Sequence, residues 1–251
     1  MDLLREAAKG LGLTLSARHL AAFELYYHEL ETWNQRFNLT AITGYEEVQR
    51  KHFLDSLSCI LALPQRGGAG PIPDTAPLQL DARPLWCLDV GSGAGFPGIP
   101  LKLLLPDAKM TLVEATGKKA GFLRHMVEAL NLENVEVLNA RAEDVGHLPE
   151  HREQYDWVLA RAVSNLSVLA EYCLPLCRVG GRMVAEKGSD VAEEAAQAQR
   201  AFDILGGALV EIKPVTLPEL RAGNHLVVVD KVRKTPADYP RRAGLPAKKP
   251  L

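Results

Sequence analysis

From Leu85 to Asp230, short apolar runs alternate with longer segments of helical periodicity, and that rhythm leaves few architectures open. The runs are Leu85–Val90, Met110–Val113, Val135–Leu138, Trp157–Ala160, Arg182–Ala185, Leu209–Ile212 and Leu226–Asp230. Such brief runs, bounded by turn residues, read as strands buried on both faces. Helical patterns, among them Lys118–Leu130 and Val191–Leu205, separate them. Strand and helix in alternation predict a mostly parallel sheet with helices on both faces. The last two strands are close in sequence and are expected to pair antiparallel. Open sheets of this kind bind ligands beyond the carboxyl ends of their strands, so those ends carry the search for function.

The first end is rich in glycine. Asp89 lies near the close of the strand, Gly91, Gly93, Gly95 and Gly98 crowd the turn, and a helical pattern begins near Ile99. Without a Cβ, such a turn can bring backbone amides against a ligand, and the first amides of the helix it opens are unpaired. Gly93-x-Gly95-x-x-Gly98 matches the dinucleotide fingerprint, and Glu114 closes the next strand where a ribose-binding acid belongs. Any glycine-rich turn can satisfy that match. Asp89, two residues before the first glycine, would repel a pyrophosphate but suits a ligand carrying an ammonium and a sulfonium. The glycines also begin early, as Gly91-x-Gly93-x-Gly95. S-adenosylmethionine is therefore favoured over a nicotinamide cofactor, and a purely packing turn is disfavoured by the succession of small residues.

Later strand ends add candidates. Glu114 can accept both ribose hydroxyls in charge-assisted hydrogen bonds. Arg141-Ala142-Glu143-Asp144 offers an amide and a carboxylate to an adenine edge, strand four ends at Ala160-Arg161, and strand five at Glu186-Lys187-Gly188. Strand four lacks the Asn/Asp-Pro-Pro-aromatic motif of enzymes that methylate exocyclic amines, and the cysteine nucleophile of cytosine-C5 enzymes is missing. A nucleophile with a free lone pair, such as guanine N7, fits that end. Its methylation needs alignment rather than a general base, and alignment can contribute about 7–11 kcal/mol. No catalytic acid or base is nominated.

The chain has 251 residues, 47% of them hydrophobic, enough for one large α/β domain with an appendage. No run reaches the length of a membrane span and the first residues lack a signal-peptide pattern, so a cytoplasmic protein is expected. Cys59, Cys87, Cys173 and Cys177 fit no zinc or redox spacing, and no metal is expected. Net charge is −2, yet residues 231–251 hold seven basic residues against Asp238 alone, leaving −8 on the rest. A basic segment on an acidic body points to a polyanion contact; a solubilising terminus is equally compatible with charge alone.

Residues 1–63 read as helical, with Ser16 as an N-cap and Leu20, Phe23, Tyr27, Leu30 and Phe37 as a core stripe. Thr43-Gly-Tyr-Glu46 has the form of a capping box opening a helix to about Leu61. Within it His52, Asp55, Ser56 and Cys59 form a polar stripe, either a solvated face or one that meets the cofactor pocket. Residues 64–84, rich in proline and glycine, read as a linker, with the main domain at 85–232 and a basic tail at 233–251.

Asn38-Leu-Thr-Ala-Ile42, Lys51-His-Phe-Leu-Asp-Ser56, Leu88-Asp-Val-Gly-Ser-Gly-Ala-Gly-Phe-Pro-Gly98, Arg141-Ala-Glu143, Ala160-Arg-Ala-Val163 and Glu186-Lys-Gly188 follow in order. Together they resemble the glucose-inhibited division protein B family of small-subunit ribosomal RNA guanine-N7 methyltransferases, over nearly the whole chain. The resemblance implies a class I S-adenosylmethionine-dependent methyltransferase fold, with a Rossmann-like seven-stranded, mostly parallel sheet and an N-terminal helical appendage. It implies methylation of guanosine 527 in the 530 loop of small-subunit rRNA, either free or in the 30S subunit. Gly91, Phe96, Glu114, Ala115, Thr116, Ala142, Glu143 and Arg161 then correspond to cofactor contacts, beside Asp89, Gly93 and Gly95 from the loop itself. Asn38, His52, Asp55 and Lys187 are the candidates for holding the target guanine, with Lys187 and Arg161 also suited to phosphate or the cofactor carboxylate. A monomer is expected. The rivals are a nicotinamide oxidoreductase and a non-catalytic RNA-binding assembly factor.

Overall fold

The computed structural model describes residues 1–63, 79–80, 83–161, 164–220 and 222–251. Its centre is a seven-stranded sheet of β1 (Trp86–Val90), β2 (Lys109–Val113), β3 (Val135–Leu138), β4 (Tyr155–Arg161), β5 (Cys177–Lys187), β6 (Gly207–Pro214) and β7 (His225–Lys231). Each predicted apolar run lies in one of these strands, save that Leu85 falls one residue before β1. The spatial order is β3-β2-β1-β4-β5-β7-β6. β1 to β5 run parallel to one another, and β7 runs antiparallel to both β5 and β6. The chain reverses direction across the sheet between β1 and β4, the switch point beyond which ligands bind.

Alternation along the strands sorts the core. On β4, Trp157 and Leu159 join the cluster on one face and Val158 and Ala160 join the other. On β7, Leu226 and Val228 oppose Val227 and Val229 in the same way. The period of two carries polar residues with it. Asp89 follows Cys87, Arg161 follows Leu159 and Glu186 follows Val184, so all three polar ends project from the face that holds the first cluster.

That face is covered by the N-terminal helices. α1 (Asp2–Ala8) and α2 (Ala17–Phe37) precede a continuous helical segment, α3, at residues 45–62. The Ser16 side chain caps α2 at the amide of His19, whose ring accepts the Ser16 amide in return. Phe23 and Leu30 are buried as the stripe predicts, and the neighbouring Tyr26 is fully buried. The capping box expected at Thr43 does not form: Gly44 occupies the N-cap of α3 without a side-chain cap. The first helical bond runs from Val48 N to Gly44 O, so the helix starts one residue later than the box requires, at a glycine with no side chain to cap it, and Glu46 pairs with Arg50. Residues Gln49–Leu54 of α3 take the wider π-helical form, a local expansion often found at functional sites.

Around the sheet lie α4 (Gly98–Leu104), α5 (Gly117–Ala129), α6 (Ala142–Val145), α7 (Leu166–Cys173), α8 (Val191–Leu205) and α9 (Leu245–Lys248). Most of the expected linker falls outside the described residues; Gln79–Leu80 and Arg83–Pro84 form a two-residue antiparallel ladder. The tail packs back on the body rather than lying loose. Arg241 clamps the fully buried Glu171 through its backbone amide and guanidinium, and Arg152 donates to the carbonyls of Thr235, Pro236 and Tyr239. Lys231, counted among the basic tail residues, is buried inside β7 and donates to Leu174 O and Thr235 Oγ1. Among the described residues no helix is long and apolar enough to cross a membrane.

Candidate active site

The turn after β1 is held from three sides. The amides of Gly91 and Ser92 reach Val113 O on β2, and Gly95 and Phe96 amides fold back on Ser92 O. Glu114, at the end of β2, accepts from Gly93 N at 3.0 Å and Thr116 N at 2.6 Å. One carboxylate thereby ties the glycine turn to the N-terminus of α5. Asn139, after β3, donates to the carbonyls of Glu114 and Ala115, while Ala115 and Thr116 stand exposed at the rim.

Asp89 is completely buried beneath this turn. Its Oδ2 accepts from Gly98 N at 3.0 Å, and its Oδ1 has no hydrogen-bond partner. Burial pushes its carboxyl up to about 7, against the opposing pull of the Gly98 amide. The glycines are required here. A Cβ on Gly98 would lie 2.5 Å from Leu112 Cδ2 and 2.9 Å from Asp89 Oδ2. At Gly95, with φ of +96°, it would fall 2.4 Å from Tyr26 Oη. Tyr26, which lies beside the predicted stripe and not in it, donates to Ala94 O and stacks on Phe96.

Phe96 joins this turn to a second cleft. His52 of α3 stacks on its ring, with centroids 4.4 Å apart, and the Arg161 guanidinium lies 5.0 Å from its centroid. Arg161 donates to His52 Nδ1 at 3.1 Å, to Asp55 Oδ2 at 3.2 Å and to Lys51 O at 3.2 Å. A guanidinium has donors alone, so His52 Nδ1 must accept and its proton must sit on Nε2, facing Thr40 Oγ1 at 2.8 Å. Burial, and then the Arg161 charge, lowers His52 to about 3, so the ring is neutral. The polar stripe of α3 therefore faces inward: Cys59 Sγ donates to Glu186 Oε1 at 2.9 Å, and Ser56 caps back on His52 O.

Part of this cluster lines a cavity of about 370 Å³ beyond the ends of β4 and β5. His52, Asp55 and Lys187 border it, with Arg161, Glu186 and Asn224 between them. Asn38 does not: it ends α2 in a left-handed conformation and is exposed, and Thr40, two residues on, makes the contact with His52 instead. The Lys187 ammonium is held by Glu194 at 2.7 Å and Ser164 O at 3.0 Å, which ties it to the body. Glu143 is buried and accepts from Gly244 N at 2.8 Å, so its carboxylate is shared with the tail, a contact that no local pattern announces. Ala142, buried beside it, opens α6. Glu186, Asn224, Thr40 and Tyr26 are not among the predicted site residues; Glu186 ends a predicted strand and Thr40 lies in the Asn38–Ile42 motif, whereas Asn224 and Tyr26 carry no local signal. Among the described residues no group of three or more His, Cys, Asp or Glu side chains is placed to hold a metal.

A seven-stranded sheet in this order, with a glycine turn after β1 and an acid closing β2, is the class I methyltransferase fold. The family model for rRNA small subunit methyltransferase G matches residues 19–222. A ribosomal RNA small subunit methyltransferase G from Roseiflexus sp. (strain RS-1) is 51% identical over 251 residues, covering all of both chains. The protein of that name from Desulforamulus reducens is 44% identical over 99% of this chain and 97% of its own. The chain belongs to the rRNA small subunit methyltransferase G family and is a methyltransferase, which sets aside the oxidoreductase and non-catalytic readings.

Proposed function

We propose that the chain transfers a methyl group from S-adenosylmethionine to N7 of guanosine 527 in the 530 loop of small-subunit rRNA. The observation that carries this reading is the Phe96–Arg161–His52 contact, which sets the glycine turn against the acid-lined cavity. A cofactor in the turn and a base in the cavity would meet across it.

The residues fit the cofactor. Asp89 Oδ1, buried and unpartnered beneath the turn, offers a negative site to a cationic ligand. Glu114 sits where ribose hydroxyls can replace the two amides it now accepts. When bound, S-adenosylmethionine supplies a methyl group on a sulfonium. The chain's own work is alignment. Phe96 and His52 form a flat wall, and Arg161 fixes that wall to Asp55. His52 is neutral with Nδ1 occupied by Arg161, which leaves it no role as a base, and guanine N7 carries no proton to remove. A cavity of this size lies within the range of small-ligand sites. Contact with RNA phosphates falls to the exposed tail residues Arg233, Lys234, Arg242, Lys248 and Lys249.

The test adds the protein and S-adenosylmethionine to 30S subunits lacking the modification and to naked 16S rRNA. Reductive cleavage at N7-methylguanosine is expected within the 530 loop. Methylation without cleavage there would sink the assignment of atom and position.

A further inference from the structure

We infer that Glu186 reads the Watson–Crick edge of the purine whose N7 is methylated, accepting from the N1–H and 2-amino groups that mark guanine. This rests on the N7 reading above and adds to it the residue that selects the base.

The inference starts from one unsatisfied atom. Among the described residues the buried side-chain atoms without a hydrogen-bond partner are Arg50 Nε, Asp89 Oδ1, Trp157 Nε1 and Glu186 Oε2. Of their residues, Glu186 lines the cavity. It is 9% exposed, and strand alternation projects it from the end of β5 toward α3. Oε1 already accepts from Cys59, while the Arg161 Nε nearest Oε2 stands at 3.8 Å, beyond a hydrogen bond. The other acid in the cleft is occupied on both oxygens: Asp55 Oδ1 accepts from Asn224 at 2.9 Å and Oδ2 from Arg161. Buried acceptors are seldom left unpaired, and one that borders a cavity is best explained by a donor that arrives with the ligand.

Guanine supplies that donor pair. Its N1–H and 2-amino hydrogens lie side by side on the edge remote from N7, whereas adenine presents a lone pair at N1 that a carboxylate repels. Glu186 can meet both hydrogens with Oε2 and the second lone pair of Oε1, while N7 is turned toward Phe96 and the glycine turn.

The same contact favours the reaction. As the N7 lone pair forms the bond to the methyl carbon, the electrons of the broken carbon–sulfur bond return to sulfur. The positive charge then passes to the purine, and no proton moves. A carboxylate against N1–H faces a ring that is becoming a cation, so it stabilises the transition state more than the bound base. Burial and the neighbouring Asp55 charge hold Glu186 well above the usual carboxylate range, so its carboxyl gives up a proton to solvent when the guanine edge docks, before the methyl transfer.

The experiment compares naked 16S rRNA carrying guanosine or inosine at the target position; inosine keeps N7 and N1–H but lacks the 2-amino group. Wild-type protein should favour guanosine in kcat/KM by roughly 10- to 100-fold. Glu186→Ala should lose that preference and methylate both slowly. Glu186→Gln, whose amide oxygen still accepts one hydrogen but carries no charge, should fall between them with its loss mainly in kcat. Wild-type protein that treats the two RNAs alike overturns the proposal whether or not either variant folds. So does Glu186→Ala with an undiminished preference. Absence of N7-methylguanosine from the wild-type guanosine arm would instead remove the N7 reading, and this proposal with it.

Discussion

Replacing Asp89 with asparagine separates what this carboxyl does for stability from what it does for ligand. The side chain is fully buried, with a carboxyl pKa near 7 against about 3.9 in an unfolded chain. Between those values the folded state binds more protons than the unfolded state, so folding stability falls as pH rises from about 4 to 7 and levels off above. The accumulated loss is up to about 4 kcal/mol. Asparagine is isosteric, keeps an oxygen for Gly98 N, and cannot ionise. The Asp89→Asn variant should match wild type near pH 4 and exceed it by up to about 4 kcal/mol above pH 8, a gain of roughly 8–16 °C in Tm for a chain of this size. Circular-dichroism melts of the ligand-free protein between pH 4 and 8.5 read both curves. Calorimetric titration with S-adenosylmethionine should show the reverse order: wild-type affinity climbs with pH through about 7, while the variant binds weakly throughout. Parallel melting curves for the two proteins, or a variant less stable than wild type at pH 8, would refute the argument.

Two further outcomes test the turn and the tail. Gly95→Ala combines positive-φ strain with overpacking against Tyr26 and Ile99 and should cost about 2–6 kcal/mol. Gly93→Ala, with φ of +58° and no side-chain neighbour within 4 Å, should cost about 1–2 kcal/mol; equal losses in urea melts would contradict the packing argument. Changing Arg233, Lys234, Arg242, Lys248 and Lys249 together to glutamine should leave the fold intact and lower the salt slope of rRNA binding by up to about 3.5. An unchanged slope in filter-binding measurements would mean that the tail does not touch phosphate.

The strands were legible because buried parallel strands leave short uninterrupted apolar runs, and all seven lie where those runs predicted. The helix cap at Ser16 was legible because its partner, His19, is three residues away. Thr43 misled because the helix begins one residue later than its spacing to Glu46 implies, with Gly44 at the N-cap. The tail shows the same limit on a larger scale. Truncation after Asp230, natural to consider while the tail counts only as charge, would remove the buried Lys231 and free Glu171 from Arg241. Those partners lie 57 and 70 residues apart in sequence, so no local pattern announces them. Glu186 lies between these cases: its face follows from its spacing to Val184, but the cysteine that partners it comes from α3, 127 residues earlier.

Arg161 stands at the end of β4 between the glycine turn and two acids. A cation here opposes any step that puts positive charge on a base, including alkylation at guanine N7, unless negative charge is close enough to offset it. The cleft meets that condition: Asp55 and Glu186 flank Arg161, with Oδ2 at 3.2 Å and Oε2 at 3.8 Å, and His52 adds no charge. Burial and the Asp55 charge hold Glu186 well above the usual carboxylate range even with Arg161 beside it, and loss of the cation would push it higher still. Because Arg161 also packs on Phe96, its loss would release the glycine turn and the acids together. The arginine at the end of β4 thus couples the glycine turn, through Phe96, to His52 and Asp55 of the acid-lined cleft.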